Sequence, residues 1–131
     1  MNKPDPSLAV RMDLGMRKVT QVTETKISNA CKYIIETEDH TLGNVMRMDM
    51  LNDPKVTFVG YRVPHPLATN IEMRVQTSDP AYPPGRAMME SCSRIISLCK
   101  ELNDDVLNFE QKRSKEMEDH VFYSVSYRKQ A

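Results

Sequence analysis

The stretch "ETEDHTLGN", residues 36 to 44, decides the fold of this chain. It has two possible interpretations, an acid/base cluster or the start of a helix. His40 follows three nearby carboxylates, those of Glu36, Glu38 and Asp39. Carboxylates beside a histidine can orient it as a general base. Residues this close in sequence cannot all face one cavity. The chain also has no G-x-S-x-G nucleophile motif and no glycine-rich phosphate loop. We therefore expect no catalytic residue.

The same stretch has the features of a helix start. Asp39 or Thr41 can cap the first turn, and the carboxylates lie at the positive end of the helix dipole. The sequence Asn-Asp-Pro at positions 52 to 54 is a stop signal. We predict a helix from about Thr41 to about Leu51, whose buried face consists of Leu42, Val45, Met46 and Met50.

Gly43 is the residue that fits this helix least well. A glycine inside a helix costs up to about 1 kcal/mol relative to alanine. Either the first turn tolerates it, or another backbone passes close to it. Periodicity alone does not choose between these two explanations.

Four segments on either side of this helix have the alternation of β-strands. In the clearest one, "NIEMRVQT", Ile71, Met73 and Val75 alternate with polar residues, which predicts a strand with one buried face. The other three strands are predicted over 19–24, 29–36 and 55–63, and the first two of the four form a plausible hairpin.

The second half of the chain has a different period. Apolar residues recur at alternating steps of four and three for three heptads, at Met88, Cys92, Ile95, Cys99, Leu102, Val106 and Phe109. This pattern predicts an amphipathic helix from about Pro84 to about Lys115, on the order of 45 Å long. Strands of typical length reach only about 20 Å. Part of this apolar stripe should therefore need a second protein.

These elements suggest one domain over residues 17–115. Residues 1–16 contain two prolines and a glycine without a sustained period, and we predict a flexible N-terminal arm there. For the C-terminal tail, residues 116–131, the alternation over 121–127 predicts either a short strand or an ordering tail.

The composition excludes several classes of protein. Eighteen basic residues balance eighteen acidic ones, so no global field draws the chain to nucleic acid or to a membrane. No segment has the apolar length of a signal peptide or a membrane span, and three cysteines without C-x-x-C spacing indicate a reducing compartment. Scattered histidines predict no metal site and no cofactor.

Three motifs carry a resemblance to a known family: "EDHTLGN" at 38–44, "DPKVTFVGYRVPHPL" at 53–67 and "RVQT" at 74–77. The run from residue 29 to residue 77 closely resembles the small alpha-like subunits of RNA polymerases. It is most similar to the form found in eukaryotic RNA polymerase II and more distantly to archaeal subunit L. The long helix that follows fits the same family in placement.

The resemblance implies an α+β fold in which two helices, the second long and amphipathic, pack on a four-stranded, mostly antiparallel sheet, as in the dimerisation domain of the bacterial alpha subunit. It also implies a non-catalytic assembly subunit of RNA polymerase II in the nucleus. The partner would be the larger alpha-like subunit, and the heterodimer would be a platform for the two catalytic subunits. Nucleic acid would be contacted only indirectly, and no membrane would be involved.

In this family the two helices form the contact with the partner. The resemblance therefore implies an interface made of Asp39, His40, Thr41, Leu42, Gly43, Asn44, Val45 and Met46 from the first helix and Met88, Cys92, Ile95, Cys99, Leu102 and Val106 from the second. The loop motif Val63, Pro64, His65, Pro66 and Leu67 distinguishes the polymerase II form from its relatives.

Two alternatives stay open at this point. The subunit shared by polymerases I and III has a similar "EDHTLGN" motif, so only the loop motif argues against it. A small intracellular enzyme that uses His40 with Asp39 or Glu38 is the alternative from a different class.

Overall fold

The computed structural model of the chain describes residues 5–24 and 26–128, and it describes the side chains of these residues apart from 8, 9 and 119–128. In this part of the chain, four strands, two long helices and one short 3-10 helix follow one another. In chain order they are the 3-10 helix Pro6–Ala9, β1 Val19–Thr23, β2 Ala30–Glu36, α1 His40–Leu51, β3 Val56–Arg62, β4 Asn70–Thr77 and α2 Pro84–Arg128.

The four strands form one antiparallel sheet in the order β1-β2-β4-β3. The register between the two central strands pairs Tyr33 with Met73 and Ile35 with Ile71. All four of these side chains are buried, because alternate residues of a strand point to the same face of the sheet. The predicted α+β fold is confirmed, and so is the β1–β2 hairpin.

Helix α1 begins where the sequence predicts it. The Asp39 carboxylate accepts a hydrogen bond of 2.8 Å from the Thr41 backbone N–H, and Asn52 is the C-cap. One side of the helix packs on the sheet through Met46 and Met50, which belong to the same buried cluster as Met73, and Leu42 packs against this cluster. The predicted burial of Val45 is wrong, because this residue lies on the other side of the helix and is 46% exposed. Of the two possible caps, Asp39 is the one used.

The position of the Tyr61 ring on β3 explains why residue 43 is a glycine. A Cβ atom at this position would lie 2.6 Å from Cδ2 and 2.7 Å from Cε2 of Tyr61. The close approach is therefore to a side chain of the chain's own sheet, and neither the long second helix nor another backbone is needed to explain it. Glycine lets α1 lie against the tyrosine ring.

The start of α2 is fixed by polar contacts to the end of α1. The buried Tyr82 hydroxyl lies 2.8 Å from Oδ2 of Asp53 and 2.7 Å from Oε2 of Glu90, so its hydrogen is directed between two carboxylates. Burial, followed by these two hydrogen bonds, raises the pKa of Tyr82 far above its ordinary value. Arg94 donates to both carboxylate oxygens of Asp49, with a shortest distance of 2.7 Å.

The chain divides into two compact units, residues 1–95 and residues 96–131, so a unit boundary lies within the single domain predicted over 17–115. The first unit contains the sheet, α1 and the first twelve residues of α2. In the second unit, α2 continues to Arg128. The backbone over 121–127 is helical where the alternation suggested a short strand. No glycine or proline follows Gly85, so nothing in the sequence stops the helix.

Much of the N-terminal arm is exposed, although it contains the 3-10 helix, which the Asp5 side chain caps. Lys18, just before β1, bonds the Thr37 carbonyl and the Glu38 carboxylate ahead of α1. Among the described residues, no helix is both long and apolar enough to cross a membrane.

The contact between Gly43 and Tyr61 predicts that Gly43→Ala destabilises the chain. Overpacking of this kind costs about 1–3 kcal/mol, which exceeds the gain in helix propensity. Chemical denaturation would measure the change, with Asn44→Ala at an exposed position of the same helix as the control. Combining Gly43→Ala with Tyr61→Ala should remove most of the added cost, and a double variant with fully additive losses would contradict this explanation.

The Asp49–Arg94 pair predicts a pH-dependent contribution to stability. Burial by itself raises the pKa of the Asp49 carboxyl, but hydrogen bonds from Arg94 and Ser91 and the charge of Arg94 outweigh it, so the net pKa lies below its ordinary value. A lowered folded-state pKa contributes stability above the unfolded pKa of about 3.9, and this stability is lost as the pH falls through the folded-state value.

Arg94→Ala should therefore raise the Asp49 pKa, because the hydrogen bonds and the charge of Arg94 that lower it are lost while burial still raises it. NMR titration of the carboxyl carbon would measure it, with the exposed Arg113→Ala as the control. An Asp49 pKa that stays low in Arg94→Ala would show that the pair is not what holds it down.

Candidate functional site

The acid/base cluster of the opening stretch is separated into three unrelated contacts. Glu38 forms an ion pair of 2.7 Å with Lys18, Asp39 caps α1, and Nδ1 of the exposed His40 lies 3.1 Å from the Tyr61 hydroxyl. The backbone N–H of Thr41 is the main cause that lowers the pKa of Asp39, so this carboxylate is an acceptor and a poor proton donor at neutral pH. The arrangement suits a helix cap and does not assemble a general base with an orienting carboxylate.

The loop at 63–67 is held by its own contacts. The His65 ring nitrogen Nδ1 accepts the Leu67 backbone N–H at 3.1 Å, and the His65 carbonyl accepts that of Ala68 at 2.9 Å. Val63 is half-buried against the core, while Pro64, His65, Pro66 and Leu67 are exposed. Within the described part of the chain, no group of three or more histidine, cysteine, aspartate or glutamate residues could hold a metal ion.

The face of the sheet away from the core has a concavity of about 480 Å³, but its charges are already paired. Glu72 pairs with Arg62 at 2.8 Å and with Lys32 at 3.3 Å, and Arg74 pairs with Glu24 at 2.6 Å. The bond from Arg62 is the largest cause that lowers the pKa of Glu72. A carboxylate held in this way is not poised for proton transfer.

The predicted contact residues of α1 divide into two groups. Leu42, Gly43 and Met46 face the chain's own sheet, and Met46 is only 2% exposed. The other five predicted residues are exposed, namely Asp39, His40, Thr41, Asn44 and Val45. The α1 side of any interface therefore excludes Met46, which packs in the core.

Sequence reasoning missed two exposed apolar residues of α1. Met48 is 53% exposed and Leu51 is 47% exposed, and they continue the side of the helix that Val45 begins. We call Val45, Met48 and Leu51 the α1 ridge. These three residues are spaced three apart in the sequence, which places them near one another on a helix. Met46 and Met50 are also apolar and lie between them, so the spacing alone did not separate the exposed side from the buried one.

The apolar stripe of α2 changes from half-buried to exposed along its length. In the first unit, Met88, Cys92 and Ile95 pack against the core. In the second unit, the side chains are exposed, by 64% for Leu102, 52% for Val106 and 67% for Phe109. We call the exposed residues Cys99, Leu102, Val106 and Phe109 the free stripe.

The free stripe is a candidate surface for binding another helix. Large apolar side chains with seven-residue periodicity gain stability when they are removed from water against a matching stripe. The neighbouring Leu98 is 64% exposed and widens the apolar surface. Exposed apolar patches of this kind mark protein–protein contacts.

Comparison with known proteins identifies the family of the chain. The family model described as the RNA polymerase Rpb3/Rpb11 dimerisation domain matches residues 30–105. The chain is 45% identical over 83 residues to the "DNA-directed RNA polymerase II subunit rpb11" of Dictyostelium discoideum, an alignment that covers 63% of this chain and 69% of that protein. It is 35% identical over 102 residues to the "DNA-directed RNA polymerase II subunit RPB11" of Schizosaccharomyces pombe, covering 78% and 81% of the two chains.

A solved structure has the same fold. The "DNA-directed RNA polymerase subunit L" of Thermoplasma acidophilum superimposes with a TM-score of 0.61 at 18% identity, over 72% of this chain and 89% of that one. The family model spans β2, α1, β3, β4 and α2 as far as residue 105, and so includes Cys99 and Leu102 of the free stripe but not Val106 or Phe109. This chain is a member of the RNA polymerase Rpb3/Rpb11 dimerisation-domain family.

Proposed function

We propose that this chain is a non-catalytic assembly subunit of DNA-directed RNA polymerase II, located in the nucleus, that forms a heterodimer with the larger alpha-like subunit. The heterodimer then serves as the platform on which the catalytic subunits assemble. The observation that carries the proposal is the free stripe on α2, exposed in a chain of the dimerisation-domain family.

The contact would be formed by both helices. The proposal assigns to this contact the exposed α1 residues, the α1 ridge and the free stripe. Met88, Cys92 and Ile95 pack the first turns of α2 against the core. Ile95 and Cys92 are partly exposed, so they can contribute at the edge of the interface. Glu38, Asp39 and His40 make separate structural contacts, so the proposal gives the chain the role of a component of a polymerase complex and not of an enzyme alone.

The names of the two relatives favour polymerase II over the subunit shared by polymerases I and III, because both are described as polymerase II subunits. The loop motif at 63–67 supports the same choice, because its sequence resembles the polymerase II form.

The free stripe predicts a specific loss of dimerisation in Leu102→Glu. A carboxylate in the centre of the interface would be desolvated without a partner, and we expect the affinity for the larger alpha-like subunit to fall by more than about 2 kcal/mol. Co-expression of the two subunits followed by affinity purification and gel filtration would measure this as loss of the 1:1 complex.

The matched control for this experiment is Gln111→Glu, which adds the same charge to an exposed position on the opposite side of the helix. It should preserve the complex. Met48→Glu tests the α1 ridge in the same way. Retention of the complex in Leu102→Glu would exclude the free stripe as the dimerisation surface.

The proposal also predicts which polymerase contains the chain. Affinity purification of the tagged chain from nuclear extract should recover the two catalytic subunits of polymerase II, identified by mass spectrometry. Recovery of the catalytic subunits of polymerases I and III in their place would contradict the assignment to polymerase II.

A further inference from the structure

The free stripe is flanked by a carboxylate on each side. At 100° per residue, Asp105 lies about 80° to one side of the centre of the stripe and Glu110 about 60° to the other side. Both side chains are exposed, and neither forms an ion pair with another described residue. Their charges are therefore directed at whatever packs on the stripe.

The segment around the stripe is acidic as a whole. Between Cys99 and Glu110 there are four carboxylates and a single cation, Lys100, although the complete chain is neutral. Asp104 differs from the flanking pair because it lies about 180° from the centre of the stripe. Glu101 lies about 120° from the centre, so the segment has two acids beside the apolar surface and two farther from it.

Two copies of this chain cannot pair along the free stripe without bringing like charges together. In an antiparallel twofold pair centred between Leu102 and Val106, residues near the axis meet their own copies, so Asp105 faces Asp105 of the second copy. In a parallel pair, Cys99 and Val106 are a positions, which makes Asp105 a g position and Glu110 the following e position. Residues at g and e face each other across the pair, so a carboxylate again meets a carboxylate.

We infer that Asp105 and Glu110 prevent this chain from pairing with itself along the free stripe and select a partner helix whose apolar stripe is flanked by lysine or arginine. This inference deepens the proposed function and rests on it, since it states the chemistry that the larger alpha-like subunit presents to α2. The apolar residues supply affinity, and the two carboxylates supply the choice of partner.

The first test measures self-association of the full chain by sedimentation velocity across a concentration series. Neutralising both acids with Asp105→Asn and Glu110→Gln should strengthen self-association by about fivefold at low ionic strength, as expected for relief of exposed like-charge contacts. Asp104→Asn is the matched control and should leave it unchanged, because this residue lies on the opposite side of the helix.

The second test reverses the charges with Asp105→Lys and Glu110→Lys. This variant alone should self-associate as weakly as the wild type, because lysine then faces lysine. An equimolar mixture of variant and wild type should form a mixed dimer more strongly than either alone, and added salt should weaken this preference. The mixture isolates the charges, since the apolar stripe is identical in both chains.

The third test measures the affinity of the co-purified larger alpha-like subunit for the charge-reversed chain. We expect a loss of about tenfold at low ionic strength that becomes smaller in 0.5 M salt, whereas Asp104→Lys should bind like the wild type. Wild-type affinity of the charge-reversed chain, or unchanged self-association after neutralisation, would overturn the inference and leave the heterodimer intact. Failure of the wild-type chain to bind the larger subunit would instead contradict the proposed function.

Discussion

The seven-residue apolar repeat of α2 is the constraint on which the rest of the molecule depends. Its first members, Met88, Cys92 and Ile95, pack against the core of the sheet, and its later members are exposed. The hydrophobic effect is non-directional, so nothing in the repeat itself distinguishes the part that folds the chain from the part that binds another. The same periodicity therefore serves the fold at one end of the helix and the proposed association at the other.

Such a helix is useful for assembly only if its start is fixed. Apolar packing on a flat sheet allows a helix to slide and rotate, whereas hydrogen bonds to defined atoms do not. The Asp49–Arg94 pair and the Tyr82 hydroxyl, held between Asp53 and Glu90, provide these bonds. They connect the end of α1 to the first turns of α2, so the two helices implied in dimerisation are joined by their own polar contacts within the first unit.

Local signals predicted most of the fold. Alternation located the four strands, and the cap at Asp39 and the stop at Asn52 set the bounds of α1 to within one residue. The sequence could not predict contacts between residues far apart in the chain. Tyr61 of β3 packs on Gly43 of α1, and Arg94 bonds Asp49, which is 45 residues away in sequence. Likewise, Val45 and Met46 are adjacent and apolar, and only the position of the sheet assigns one to the surface and the other to the core.

An apolar stripe alone cannot explain a heterodimer. Leu102, Val106 and Phe109 would gain as much by packing on a second copy of the chain as on a related helix, so burial of area gives affinity without a preferred partner. A preference for the heterodimer over the self-pair requires an interaction that is favourable in the first and unfavourable in the second. The electrostatic interaction between charged side chains can have this property. In an antiparallel pair Asp105 repels Asp105 of the second copy, and in a parallel pair Asp105 repels Glu110 of the second copy, whereas a basic flank attracts both carboxylates. The choice between self and partner is in this way set by two side chains that contribute nothing to the apolar surface they border.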